Sequence, residues 1–225
     1  MDIIISHTTA LRFWQRFPGR RRALRPSRSV TACTQRIRLS ADLREELAKL
    51  GIPCSPAMPV DILFAEQSLR ARMPAIRSHV DTRNLPPASF LRVSPHVLVV
   101  CPELCFAQMA ASLSVEELAA VACAFAGTYA VSVDGPLLSR EPIASREGIA
   151  SYLDVLPPDS LNRQTARARR ALALSFDNAA SPMEAKLALL LTLPTSLGGY
   201  GLPRPELNVS LELGLEARKL YAQIG

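Results

Sequence analysis

The change of pattern at Cys101 constrains the fold more than any other feature of this chain. Before it, four short β-like apolar segments at 60–65, 75–80, 89–93 and 97–100 are separated by proline-bearing stretches. After it, the apolar residues recur at helical spacing behind recognisable helix starts. Pro102 fits a first helical turn, with Leu104, Cys105, Phe106 and Met109 on its buried side. Ser114-Val115-Glu116-Glu117 is a capping box that opens a helix running to about Ala126. A connection at 127–142 holds turn residues, among them Asp134-Gly135-Pro136. Three further helices follow: 146–155, a second from Asp159 or Ser160, and a third from Ser181. Towards the N-terminus, Ile3-Ile4-Ile5 is β-like, and Ser6 or Thr8 can cap a helix carrying Leu11, Trp14 and Gln15. Ser40 caps another at 41–50, with Leu39, Leu43, Leu47 and Leu50 inward and Gly51 as its stop. The class predicted is α+β.

With 225 residues, 48% hydrophobic and 20% charged, the chain is long and apolar enough for a packed core and is not a disordered one. No apolar run approaches the roughly 18 residues that a membrane span needs. The N-terminus carries neither a basic region nor a long apolar stretch of the secretory type, so a cytoplasmic location is expected. Five cysteines without any CxxC pair predict reduced, mostly buried thiols. The three histidines, His7, His79 and His96, lie far apart in sequence, and no metal site is expected from them.

Charge is unevenly placed. Residues 3–41 hold nine arginines and no acidic residue, whereas 42–225 carry 17 basic and 19 acidic side chains. Arginine supplies 23 of the 26 basic residues, and its planar fork suits phosphate. The stretch 18–28 combines Pro, Gly and like charge and reads as a mobile basic arm. Arg12, Arg16, Arg20, Arg21, Arg22, Arg25 and Arg28 are therefore the candidate nucleic-acid contacts, with loop solvation as the competing explanation. No aromatic residue interleaves the arginines between Phe17 and Phe64, which favours duplex phosphate over single-strand stacking. Arg163, Arg167 and Arg170 share a helix face that reads as solvated.

Serine-hydrolase, P-loop and dinucleotide signatures are absent, and Gly198-Gly199-Tyr200-Gly201 follows a helix where a dinucleotide fingerprint needs a strand. Cys101 and Cys105 share a helix face beside Phe106, which packing explains. Glu184 poses the sharper question. Ser181-Pro182-Met183-Glu184 carries every element of a helix start, so this carboxylate serves the cap, while Leu187, Ala188 and Leu191 on its face leave a role in a cleft open.

The run from Ser181 to Leu191, followed by Leu197-Gly198-Gly199-Tyr200-Gly201-Leu202-Pro203-Arg204-Pro205-Glu206-Leu207-Asn208, resembles the opening of a very-short-patch-repair-type endonuclease domain. Such domains belong to the PD-(D/E)XK superfamily. The resemblance implies that Glu184 is the glutamate of the first helix, a catalytic position, and that Asn208-Val209-Ser210-Leu211 begins the next strand. Upstream, 5–11 and 101–110 are similar to the AbiEi-type antitoxins of type IV toxin–antitoxin systems, in which a winged helix precedes a mixed α/β domain. Three regions follow from it: a basic, winged-helix-like DNA-binding region at 1–58, a mixed α/β domain at 59–144, and a helical segment with an incomplete nuclease-like helix–strand unit at 145–225.

The departure from the nuclease pattern is specific. No aspartate follows Asp177, and Glu206, Glu212 and Glu216 do not restore the later acidic motif. Mg²⁺ is held by carboxylates together with waters and substrate, so a lone Glu184 is an incomplete site. The resemblance thus implies a DNA-associated, antitoxin-like regulatory protein, truncated before its catalytic motifs, that has no cofactor and is not expected to act as an enzyme. Its partners would be duplex DNA and a toxin protein, with no membrane. The alternative is a Mg²⁺-dependent endonuclease whose site is completed by a partner chain, and an unfinished C-terminal sheet would favour such self-association.

Overall fold

The computed structural model describes residues 2–16, 21, 24–28, 31–131, 137–158 and 163–209. Its centre is β1 (Ile3–Ile5), a run apolar on both faces and buried on both, as an interior strand must be. It lies between β6 (Val97–Val100), which is parallel to it, and β3 (Val60–Phe64), which is antiparallel. The six-stranded mixed sheet continues through β4 (Ile76–Val80) beyond β3, and through β5 (Phe90–Arg92) and β2 (Arg25–Pro26) beyond β6. Register aligns Ile3 with Val97, Ile5 with both Val99 and Ile62, and Phe64 with Val80.

Helix α1 (His7–Arg16) follows β1 and turns Ala10, Phe13 and Trp14 inward, with Trp14 Nε1 donating to the Val100 carbonyl at 3.0 Å. Ser40 caps α2 (Ala41–Lys49), whose Leu43 and Leu47 are buried. Helix α3 (Pro102–Met109) is buried almost along its whole length and packs on α1, α5 (Arg146–Val155) and α6 (Arg163–Leu174). Helix α4 (Val115–Ala126) begins at the expected capping box and packs against α6 and α7 (Pro182–Thr192). The class is therefore α+β. Among the described residues, no helix is long and apolar enough to cross a membrane. Cys33, Cys101, Cys105 and Cys123 are buried free thiols, and Cys54 is half-buried.

Three expectations are corrected. The division at 58/59 is crossed by the sheet, because β1 and β2 hydrogen-bond to strands that lie beyond it. A strand as apolar as Ile3–Ile5 is stable only inside such a sheet, so the described part of 1–58 shares its sheet with the residues that follow. One buried cluster runs from Ile3 to Leu193 and likewise bridges 144/145. The connection at 127–142 contains a hairpin of β7 (Tyr129–Val131) and β8 (Leu137–Ser139). Asn208 and Val209 are not in a strand, and the rest of the expected C-terminal strand lies outside the described residues. On α6, Arg163, Arg167 and Arg170 are all exposed, as expected of a solvated face, and Arg167 in addition donates to the Ala110 carbonyl at 2.9 Å, which ties α6 to the α3–α4 turn.

Candidate nucleic-acid interface

Helix α1 presents opposite faces to core and solvent. Phe13 and Trp14 point to the sheet, while Arg12, Gln15 and Arg16 are exposed. Beside that outer face lies a groove of about 590 Å³ bounded by α1, α4, the β7–β8 hairpin and the start of α7. Four cationic side chains line it, Arg12, Arg16, Arg140 and Lys186, over a floor that includes Tyr129, Ile143 and Leu189. Among the described residues no Asp or Glu contributes to the lining. Like charges gathered over an apolar floor raise the local potential, because the floor screens them less than water does.

Arg140 is the most constrained of the four. Its guanidinium donates to the carbonyls of Ala124 at 2.6 Å and Glu141 at 2.9 Å and lies over the Tyr129 ring, 5.9 Å from its centroid. Its Nε–H is buried and has no acceptor among the described residues. Burial draws its pKa below the ordinary arginine value, and the cation persists because that value is so high. An unmet donor of this kind costs roughly 1–3 kcal/mol. Arg16 donates to the Gly51 carbonyl at 3.4 Å, and Arg12 makes no hydrogen bond or ion pair with a described residue.

The other arginines predicted as contacts divide. Arg21 forms an ion pair with Glu103 at 2.5 Å and also donates to the Ile143 carbonyl. The Glu103 side chain is only 8% exposed, so Arg21 neutralises a buried carboxylate. Arg21 and strand β2 are therefore held to the body of the protein, which corrects the mobile-arm reading for these residues, while 18–20, 22 and 23 lie outside the described residues. Arg25 and Arg28 are exposed, the former on β2, which pairs with β5 at the sheet edge. Arg20 and Arg22 lie outside the described residues. Sequence reasoning missed Arg140 and Lys186, because neither belongs to a run of charge and only the fold brings them beside α1.

Glu184 serves its helix start. Ser181 Oγ accepts from the Glu184 N–H at 3.1 Å, and the Glu184 carboxylate accepts from the Ala180 N–H at 2.6 Å. Asn208 Nδ2 donates to both carboxylate oxygens at 3.0 Å and clasps the 194–209 segment onto α7. The buried side of α7 is Ala185, Ala188 and Leu189; of the apolar seam expected beside Glu184, Ala188 is buried, Leu191 half-buried and Leu187 exposed. Among the described residues no three His, Cys, Asp or Glu side chains converge to hold a metal ion. Glu206 is exposed, and Glu212 and Glu216 lie outside the described residues.

Comparison of the chain with protein-family models, with curated proteins and with solved structures gives no match.

Proposed function

We propose that the protein associates with duplex DNA as an antitoxin-like regulatory protein and contacts the phosphates through the groove of Arg12, Arg16, Arg140 and Lys186. The observation that carries this reading is Arg140, a half-buried guanidinium whose Nε–H has no acceptor among the described residues, in a groove that has three other cations and no described carboxylate. Phosphate oxygens are acceptors of matching charge, and arginine receives them along its fork. Tyr129, the aromatic residue of the lining, is buried beneath Arg140 and offers no face for base stacking, which favours duplex over single strands. The regulatory, antitoxin-like part, with a toxin as partner, rests on the resemblance of 5–11 and 101–110 alone. The nuclease alternative is disfavoured because the Glu184 carboxylate is already shared between the Ala180 N–H and Asn208.

Fluorescence anisotropy with a labelled duplex tests this reading. Four phosphate contacts give a salt slope of about −3.6, hence an affinity loss of about 10²-fold between roughly 50 and 200 mM salt. Absence of binding at the lower concentration would refute it.

A further inference from the structure

A second and larger cavity, about 660 Å³, opens between the start of α1, the ends of β3 and β4, α3 and α6, and it shares no lining residue with the basic groove. Its wall contains His7 and His79, whose rings stack 3.5 Å apart at 13°. Behind them Asp61, 2% exposed, accepts from His79 Nε2 at 2.8 Å, from the Thr9 N–H and hydroxyl at 3.1 and 2.9 Å, and from Arg77 at 3.3 Å. A carboxylate only accepts, so His79 carries its proton on Nε2. Gln108, only 7% exposed, accepts from the His7 N–H at 3.1 Å, and its own Nε2 has no acceptor among the described residues.

The fixed charges here are already matched. Asp81 takes two hydrogen bonds from Arg83, at 2.8 and 2.7 Å, and among the described residues these are the only Asp, Glu, Lys or Arg in the lining. Among the described residues of the cleft, an anion would meet no spare cation and a cation no spare carboxylate. What remains is neutral: the unmet Gln108 amide donor, the Gln164 carboxamide, the Thr82 and Thr165 hydroxyls, two stacked imidazoles and an apolar wall including Leu104 and Leu156. Rings stack on rings, an amide N–H seeks a carbonyl, and a volume of this size is that of a small-molecule site.

We propose that this cleft binds an uncharged planar heterocycle bearing a carbonyl oxygen, the chemistry of a pyrimidine or purine base, with that oxygen on the Gln108 amide and the ring against the histidine pair. Such a base can arrive as a free nucleoside or as an unpaired base of a strand. The inference does not depend on the basic groove.

Uridine is the probe, followed through the ring signals of the three histidines by NMR. The expected result is saturable movement of the His7 and His79 signals, half-complete below about 1 mM, with His96 still. Gln108→Leu should weaken it by about tenfold, the worth of one hydrogen bond of this kind. Ala111→Trp, at an exposed position of the lining, should abolish it without touching the core. If Gln108→Leu fails to fold, the Ala111→Trp result decides alone. Competition separates the sources: displacement by a uracil-containing single strand marks an unpaired base, and indifference to that strand marks the free nucleoside, each in keeping with the cleft assignment. Displacement by fully paired duplex alone would overturn it. So would no saturable movement up to about 10 mM uridine, or saturation unchanged in Ala111→Trp.

Discussion

The basic groove and the histidine cleft share α1 as a wall and treat charge in opposite ways. In the groove, Arg140 is held by carbonyls and no described carboxylate joins the cationic lining. In the cleft, Asp61 is matched by Arg77 and His79, and Asp81 by Arg83. A net charge of +6 therefore says little about where an anion could bind. What decides is whether each cation already has its counter-ion, and that depends on residues remote in sequence.

The largest expected effect comes from breaking the matched side of this comparison. Asp61→Ala removes the acceptor for Thr9, His79 and Arg77 at once, and a cost of about 3–5 kcal/mol is expected in urea denaturation. Asp61→Asn keeps part of the network and should cost less.

Acid should unbalance the same cleft. Burial, and secondly the neighbouring His79, push the His7 pKa down to about 3. The unfolded chain thus takes up a proton below about pH 6.5 where the folded protein does not, so stability rises with pH across the window from about 3 to 6.5 and is lost as pH falls. Between pH 7 and 5 the expected loss from this group is about 2 kcal/mol. His7→Asn, chosen because Asn tolerates the left-handed backbone at φ 46, should remove that part of the slope in denaturation curves. Asp61 acts at lower pH. Burial alone would raise its carboxyl, but hydrogen bonds from His79 and Thr9, helped by Arg77, hold it below the ordinary range and place its contribution to acid unfolding below about pH 4.

Arg21→Ala sharpens the comparison from the other end of the charge run. An arginine on a mobile arm would be silent, with effects within about 0.5 kcal/mol. Because Arg21 faces the buried Glu103, and its own side chain is 37% exposed, a loss of about 1–2 kcal/mol is expected by thermal or chemical denaturation. The smallest effect belongs to Glu184. Its replacement by Ala should cost up to about 1 kcal/mol and by Gln less, and added Mg²⁺ should leave the melting temperature of wild type and Glu184→Gln unchanged.

Much of the local structure was legible because it is written locally. Ser40, Ser114, Ser145 and Ser181 each accept from a backbone N–H at a helix start, and the apolar runs at 60–64, 76–80 and 97–100 form strands near their expected limits. The short strands of the β7–β8 hairpin were hidden among turn residues, which dominate any pattern there. The cap of α1 was also misassigned: Asp61, on β3, receives the Thr9 N–H in place of Ser6 or Thr8. Both clefts were illegible for a related reason. His7 meets His79, and Arg140 and Lys186 meet α1, only because the sheet order and the packing of α4 and α7 bring distant segments together. A charge run marked Arg12 and Arg16 correctly as surface cations but gave Arg21 the same standing, since the partner that neutralises it is 82 residues away.

The most direct test of the central claim is the salt dependence of duplex binding by wild type and by the Arg12→Ala/Arg16→Ala double variant. Each lost phosphate contact removes about 0.9 from the slope of log K against log salt, so the double variant should be shallower by about 1.8. Its folding stability should stay within about 0.5 kcal/mol of wild type, because both side chains are exposed. An identical slope in the two proteins, or no duplex binding by either at low salt, would contradict the assignment of the groove.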